Sequence, residues 1–176
     1  MIDRKEERSM ETRQERELAV YQMLDRLGIG WQRWDHPAVA TIEDCCEIGR
    51  RMGVPMCKNL FLCNRTHTEF YLLMMPGEKQ FKTKEVSKQI PTSRLSFAEA
   101  EYMEQYLHIS PGAVSVMGLM NDTGHHVKLL IDEPLLADEY LGCHPCVNTS
   151  SIKVKMQDVI SIFLPATGHD YQVVHL

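Results

Sequence analysis

A chain of 176 residues, 44% hydrophobic and 24% charged, has the apolar content for one ordinary domain with its own core. It has no apolar run approaching the roughly 20 residues that cross a bilayer, and its charged N-terminus has no apolar segment of a secretory leader, so the expected location is cytoplasmic with no membrane partner. A net charge of −5 excludes a broad nucleic-acid-coating surface, which depends on many phosphate contacts, but it leaves room for a compact basic patch that reads one end of a nucleic acid.

Residues 1–17 read as a charged N-terminal tail running into a helix, and residues 18–176 as the domain. Leu18, Val20, Tyr21, Leu24 and Leu27 recur at helical spacing up to Gly28 and Gly30. Trp31 to Asp35 reads as a short strand, and His36-Pro37 as a turn. Thr41 then caps a helix, with Asp44 in place of the usual glutamate of a capping box. That helix carries Ile42, Cys45, Cys46 and Ile48 inward and stops near Gly53-Val54-Pro55. Cys57 to Cys63 is an unbroken apolar run after its opening Lys-Asn pair, the pattern of a strand covered on both faces. Asn64 to Thr68 is a polar turn, and Glu69 to Met75 is the second arm of a hairpin ended by Pro76-Gly77.

From Lys79 the pattern turns helical, with Val86 and Ile90 apolar and Lys79, Lys82, Lys84 and Lys88 on a charged side. That side suits either solvent or phosphates. Glu99 to Leu107 reads as a short helix with acidic residues near its start. Ser110 to Leu119 is rich in small residues and too apolar for a surface linker, and its glycines permit close approach of a ligand or another backbone. Asn121-Asp122-Thr123-Gly124 has the composition of a hairpin turn into a strand over Val127 to Ile131; the Asp-Thr-Gly triplet is also found in aspartic proteases. Further strands are expected at Leu141 to Cys143, Ile152 to Val154 and Tyr171 to Val174, with a helix over Met156 to Leu164. The irregular alternation of strands and helices favours α+β with a mixed sheet over a doubly wound fold.

Six cysteines, two of them adjacent at Cys45-Cys46, do not suit a disulfide framework and read as reduced structural thiols. The chain has no GxGxxG, P-loop, HExxH or GxSxG sequence. Cys143-His144-Pro145-Cys146 has a metal- or redox-like spacing, but it lacks the second pair of a zinc site and the helix N-terminus of a redox motif. Lys58 stands at the mouth of a core strand, where it either extends its ammonium into water or meets an anion. His144 is either a hydrogen-bonded structural histidine or a group that titrates near neutrality in a site. A fixed cation, backbone N–H groups beside glycines and such a histidine together suit hydrolysis of an activated ester on a phosphate-bearing molecule, with no protein nucleophile.

An ordered series of motifs carries a family resemblance. It begins with Asp35-His36-Pro37-Ala38-Val39, Lys58-Asn59-Leu60-Phe61-Leu62 and Arg94-Leu95-Ser96-Phe97-Ala98. It continues through Ser110-Pro111-Gly112-Ala113-Val114-Ser115 to Gly118-Leu119-Met120-Asn121-Asp122, then Gly142-Cys143-His144-Pro145, Asn148-Thr149 and Gly168-His169. With these the sequence resembles the YbaK/prolyl-tRNA editing-domain family of free-standing trans-editing deacylases, and within it the alanyl-tRNA(Pro) deacylase branch. The resemblance implies an α+β fold: a single compact domain with a mixed, partly barrel-like β-sheet surrounded by helices. It implies an aminoacyl-tRNA deacylase that acts on mischarged tRNA(Pro), Ala-tRNA(Pro) above all, by water attack assisted by the substrate's ribose hydroxyl. Lys58 and His144 are the catalytic residues it implies, and Asn59, Gly112, Ser115, Gly118 and Asn148 the substrate-binding ones. The implied partners are the acceptor end of tRNA and prolyl-tRNA synthetase, and no cofactor or metal is implied. The alternative is a module of the same fold that binds aminoacyl-tRNA or a synthetase without turnover.

Overall fold

The computed structural model describes residues 13–39 and 41–176. The first helix, α1 (Glu15–Arg26), buries Val20, Tyr21, Met23 and Leu24 on one stripe and ends where Gly28 adopts a φ of 69°. It begins inside the stretch expected to be a charged tail. Arg13 and Glu17 from that stretch are buried, while most of the tail lies outside the described residues. The second helix, α2 (Ile42–Met52), is capped as its sequence demands. Thr41 Oγ1 accepts from the Asp44 N–H at 3.1 Å and donates to Asp44 Oδ2 at 2.8 Å, and Gly53 closes the helix in the left-handed region at a φ of 64°.

Among the described residues, eight strands form two sheets. β1 (Trp31–Asp35), β7 (Ser150–Lys155) and β6 (Tyr140–Cys143) make an antiparallel sheet in the order β1-β7-β6. The second sheet has the order β4-β2-β3-β5-β8, from β2 (Cys57–Cys63), β3 (Phe70–Pro76), β4 (Ser96–Phe97), β5 (Val127–Asp132) and β8 (Tyr171–Val174). β2 pairs antiparallel with β3 and β4, whereas β3, β5 and β8 run parallel. Alternation along β3 sends Phe70, Leu72 and Met74 into the main core with α1, and Tyr71, Leu73 and Met75 into a second core with Val86 and Ile90. Burial on both faces is why β2 and β3 read as continuous apolar runs.

The sheets meet at an isolated parallel bridge, Met56 to Gly142, in the mixed α+β single domain the resemblance implied, and form no closed barrel among the described residues. Gly142 makes this seam possible, because a Cβ there would stand 2.7 Å from Met56 Sδ and 3.1 Å from the Pro55 carbonyl oxygen. Its N–H donates to that carbonyl at 3.2 Å.

Two further expectations are corrected. The lysine-rich segment forms only one short helix, α3 (Thr83–Ser87). Lys79 precedes it and donates to the buried Asp132 Oδ2 at 2.6 Å, so only Lys82, Lys84 and Lys88 remain exposed. Asn121 to Gly124 is not a hairpin turn, since β5 pairs parallel to β3 and is entered from a 3-10 helix, Val116–Asn121. The buried Asp122 organises the entry by accepting from the N–H groups of His126 at 3.0 Å and Val127 at 2.7 Å. Burial pushes its carboxyl upward, but these N–H groups and His169 outweigh that and leave it below the usual range. The remaining helical segments among the described residues are α4 (Ala100–Tyr102), continued by a π-helical turn at Met103–Leu107, a 3-10 helix at Glu133–Ala137, and α5 (Met156–Asp158) and α6 (Leu164–Thr167), joined by a π-helical turn at Val159–Phe163. No helix among the described residues is long and apolar enough to cross a membrane.

Candidate active site

The seam between the sheets sets the register of the two residues singled out as catalytic. Met56 and Gly142 form an isolated parallel bridge. Burial, and behind it the nearby Cys143, raises the Cys57 thiol pKa, and Lys58 and His144 each stand two residues past the bridge. The adjacent residues Cys45 and Cys46 on α2 span the two. Cys45 Sγ lies 4.0 Å from His144 Nε2, and Cys46 is close enough to Lys58 to affect its ionisation.

Lys58 donates to the Lys79 carbonyl oxygen at 2.7 Å and forms no ion pair among the described residues. Burial lowers the pKa of its ammonium, with a small opposing effect from Cys46. A cation anchored to a neutral carbonyl keeps most of its charge for a ligand. Asn59 points to the other face of β2, where its Nδ2 lies 3.0 Å from Cys57 Sγ and its buried Oδ1 has no hydrogen-bond partner.

His144 is buried in the bend after β6. Its Nδ1 is 3.0 Å from the Ser150 carbonyl oxygen and 3.4 Å from Ser151 Oγ. A carbonyl only accepts, so Nδ1 carries the proton and Nε2 presents its lone pair on the side of Cys45. Burial pulls the His144 pKa down, the Ser150 carbonyl opposes this and His36 adds to it; the result lies below the ordinary histidine value. Ser151 also lies 2.9 Å from His36 Nε2. A buried network stands behind Ser150. Its hydroxyl donates to Glu17 Oε1 at 2.7 Å, and Glu17 Oε1 also accepts from Tyr21 Oη at 2.8 Å and Arg13 Nη1 at 2.5 Å, while Arg13 grips Asp35 with two further bonds.

The remaining expected binding residues divide. Asn148 is clasped to the segment after His36: its carbonyl accepts from the Val39 N–H at 3.2 Å and its Nδ2 donates to Val39 O at 3.4 Å. Gly112 has a φ of 87°, and a Cβ there would be 3.5 Å from Asn148 Nδ2, so these two residues share one wall. Ser115 is fully buried and accepts from the Met117 N–H at 3.2 Å, capping the 3-10 helix. Gly118 lies in the main core, where a Cβ would come within 2.5 Å of Ile109 Cδ1 and 3.1 Å of Leu107. Cys143 and Cys146 are buried, and burial pushes both thiols up to about 12; such thiols carry almost no thiolate at neutral pH, contrary to a redox role.

A cleft of about 460 Å³ opens along the C-terminal half of α2, lined by Cys46, Gly49, Arg50, Met56, Gly77 and Glu78. Neither Lys58 nor His144 lines it, and Cys46 is where it adjoins the surroundings of Lys58. Sequence reasoning missed the hydroxyls of Ser150 and Ser151, the buried Glu17 and the position of Cys45. The sequence clue to these contacts was Asp35-His36, because both residues meet this network.

Comparison with known proteins places the chain in a family. A family model described as "Aminoacyl-tRNA editing domain" matches residues 36–162. The "Prolyl-tRNA editing protein ProX" of Acetoanaerobium sticklandii is 28% identical, with 90% of this chain and 96% of that protein covered. The "Prolyl-tRNA synthetase associated domain-containing protein 1" of Mus musculus is 29% identical, with 85% of this chain and 89% of that protein covered. A solved structure provisionally assigned as a trans-editing enzyme for prolyl tRNA synthetase superposes with a TM-score of 0.70 at 15% identity, covering 94% of this chain and 99% of that one, which shows a shared fold. With well over half of its length matched by the family model, the chain belongs to the aminoacyl-tRNA editing domain family, whose chemistry is the hydrolysis of aminoacyl esters.

Proposed function

We propose that this protein removes the amino acid from mischarged tRNA(Pro), with Ala-tRNA(Pro) as its main substrate. This reading rests on the seam: an ammonium that forms no ion pair among the described residues, Lys58, and a neutral imidazole, His144, stand at equal offsets on two segments bridged at Met56 and Gly142. Lys58 meets the phosphate or the carbonyl oxygen at the aminoacylated 3′ end, where negative charge gathers as the ester is attacked. Water adds to the ester carbonyl carbon, giving up a proton with help from the neighbouring ribose hydroxyl. The bond from carbon to the ribose oxygen then breaks and that oxygen takes a proton, leaving free amino acid and deacylated tRNA. His144 Nε2 accepts a hydrogen bond from the water or the ribose hydroxyl and so orients it. The Gly112–Asn148 wall bounds the amino-acid side chain.

Selection of alanine over proline follows from size. A pocket rejects a larger group by overlap more strongly than it rejects a smaller one through lost contacts. The test is deacylation of tRNA(Pro) charged in turn with alanine, cysteine, serine and proline. Rapid loss of alanine with proline spared is the expected result; equal hydrolysis of all four contradicts the specificity, and no hydrolysis of any contradicts the activity.

A further inference from the structure

At the far end of β2 from Lys58, three donors of different chemistry converge from three segments. Cys63 is the last residue of β2, in register with Ser96 of β4. His67 belongs to the turn that follows, and Glu99 is the N-cap of α4. One ligand atom from each, Cys63 Sγ, a His67 ring nitrogen and a Glu99 carboxylate oxygen, all lie within 4.8 Å of one another, and His67 Nε2 is 3.9 Å from Glu99 Oε1. Cys63 is buried, whereas the side chains of His67 and Glu99 are 39% and 60% exposed and have room to close inward.

We propose that Cys63, His67 and Glu99 form a binding site for a divalent transition cation of the zinc class. Sulfur, imidazole nitrogen and carboxylate oxygen are the donors such an ion takes, and bond lengths of about 2.0–2.3 Å place tetrahedral donors roughly 3.3–3.6 Å apart. The present separations therefore need only a modest closure by the two exposed side chains. Charge balances as well, because a thiolate and a carboxylate offset the two positive charges while the imidazole binds neutral. Binding releases the Cys63 thiol proton to solvent. Ser96 Oγ, 3.7 Å from Cys63 Sγ, is placed to donate to the thiolate and steady it. The fourth position faces outward, where water completes the coordination. Five residues of strand separate Cys63 from Lys58, roughly 17 Å at about 3.3 Å per residue. The ion ties the 64–69 turn to the start of α4 and takes no part in ester hydrolysis.

The test is titration of the purified chain with Co²⁺, read by the thiolate-to-metal charge-transfer absorption, followed by displacement with Zn²⁺. One ion per chain is expected, with the absorption lost in Cys63→Ser and kept in Cys45→Ser and Cys46→Ser. His67→Ala and Glu99→Gln change exposed side chains and keep the fold, so they decide the matter even if Cys63→Ser does not fold. Each should weaken Zn²⁺ binding by about tenfold or more, at least the loss seen when a supporting residue of a metal site is removed. Wild-type absorption in folded Cys63→Ser, its loss in an α2 cysteine variant, or unchanged affinity in both His67→Ala and Glu99→Gln overturns the site.

Discussion

Lys58 and His144 each stand two residues past the isolated parallel bridge between the two sheets, Lys58 after Met56 and His144 after Gly142. Neither strand alone makes a site. The strand that carries Lys58 belongs to the five-stranded sheet and the bend that carries His144 closes the three-stranded one, so anything that parts the sheets parts the two residues.

Gly142→Ala tests that dependence. The added methyl would meet Met56 Sδ at 2.7 Å and the Pro55 carbonyl at 3.1 Å, and relief requires the seam to open. We expect a loss of about 1–3 kcal/mol in urea denaturation, the usual cost of overpacking, together with a large loss of deacylation. Gly118→Ala meets Ile109 and Leu107 in the main core and should cost a similar amount of stability while the folded fraction keeps its rate per molecule.

Ser150 connects His144 to Glu17, with its carbonyl facing the imidazole at 3.0 Å and its hydroxyl donating to the Glu17 carboxylate at 2.7 Å. Glu17→Ala takes one carboxylate partner from the buried Arg13 and removes the acceptor that Ser150 and Tyr21 share. Breaking a buried pair on one side costs about 3–5 kcal/mol, to be read in urea denaturation. Glu17→Gln keeps an acceptor for both hydroxyls and should recover part of that loss.

The pH dependence follows from His144. Its pKa in the folded protein is depressed, chiefly by burial. The stability it contributes is therefore present above the unfolded value of about 6.5 and is lost as the pH falls through the lower folded value. The acid limb of single-turnover deacylation should likewise lie below 6.5, because Nε2 must be unprotonated to accept. His144→Asn should abolish that limb along with most of the rate. A wild-type limb at or above 6.5 would contradict the buried neutral imidazole.

Cys45 offers a chemical probe of the same space. It is half-buried 4.0 Å from His144 Nε2, and burial, then Cys46 and Asp44, raise its thiol pKa. Alkylation should be slow at neutral pH and accelerate as the pH rises. The adduct fills the gap between α2 and His144, so deacylation should fall in step with its formation. Cys45→Ala should resist inactivation; equal inactivation of that variant would place the sensitive group elsewhere.

Much of the fold was legible because its signals are local. Thr41 and Gly53 mark the ends of α2, and the two apolar runs flanking Asn64 to Thr68 mark the β2-β3 hairpin. Where local chemistry serves two purposes, reading failed. Asn121 to Gly124 has the residues of a hairpin turn, yet Asp122 uses them to start a strand that pairs in parallel with one far away in sequence. Glu17 looked like solvent-facing charge because its partners Tyr21, Arg13 and Ser150 come together only in three dimensions. Lys58 and His144 stood out through their motifs, but the bridge that joins the segments carrying them is long-range, and no spacing in the chain displays it. Ser115 and Gly118 lie in the same small-residue loop as Gly112, and only the packed structure separates a helix cap and a core contact from a wall beside Asn148.

The most direct test of the account is single-turnover deacylation of Ala-tRNA(Pro) by wild type and Lys58→Ala, with the fold of the variant checked by its unfolding transition. Lys58 forms no ion pair among the described residues and its hydrogen bond is to a main-chain carbonyl, so its removal should leave the fold intact. The rate should fall by about 10²–10³, the loss typical of deleting one group that stabilises developing negative charge. A folded Lys58→Ala that hydrolyses Ala-tRNA(Pro) at the wild-type rate would contradict the assignment of the seam as the active site.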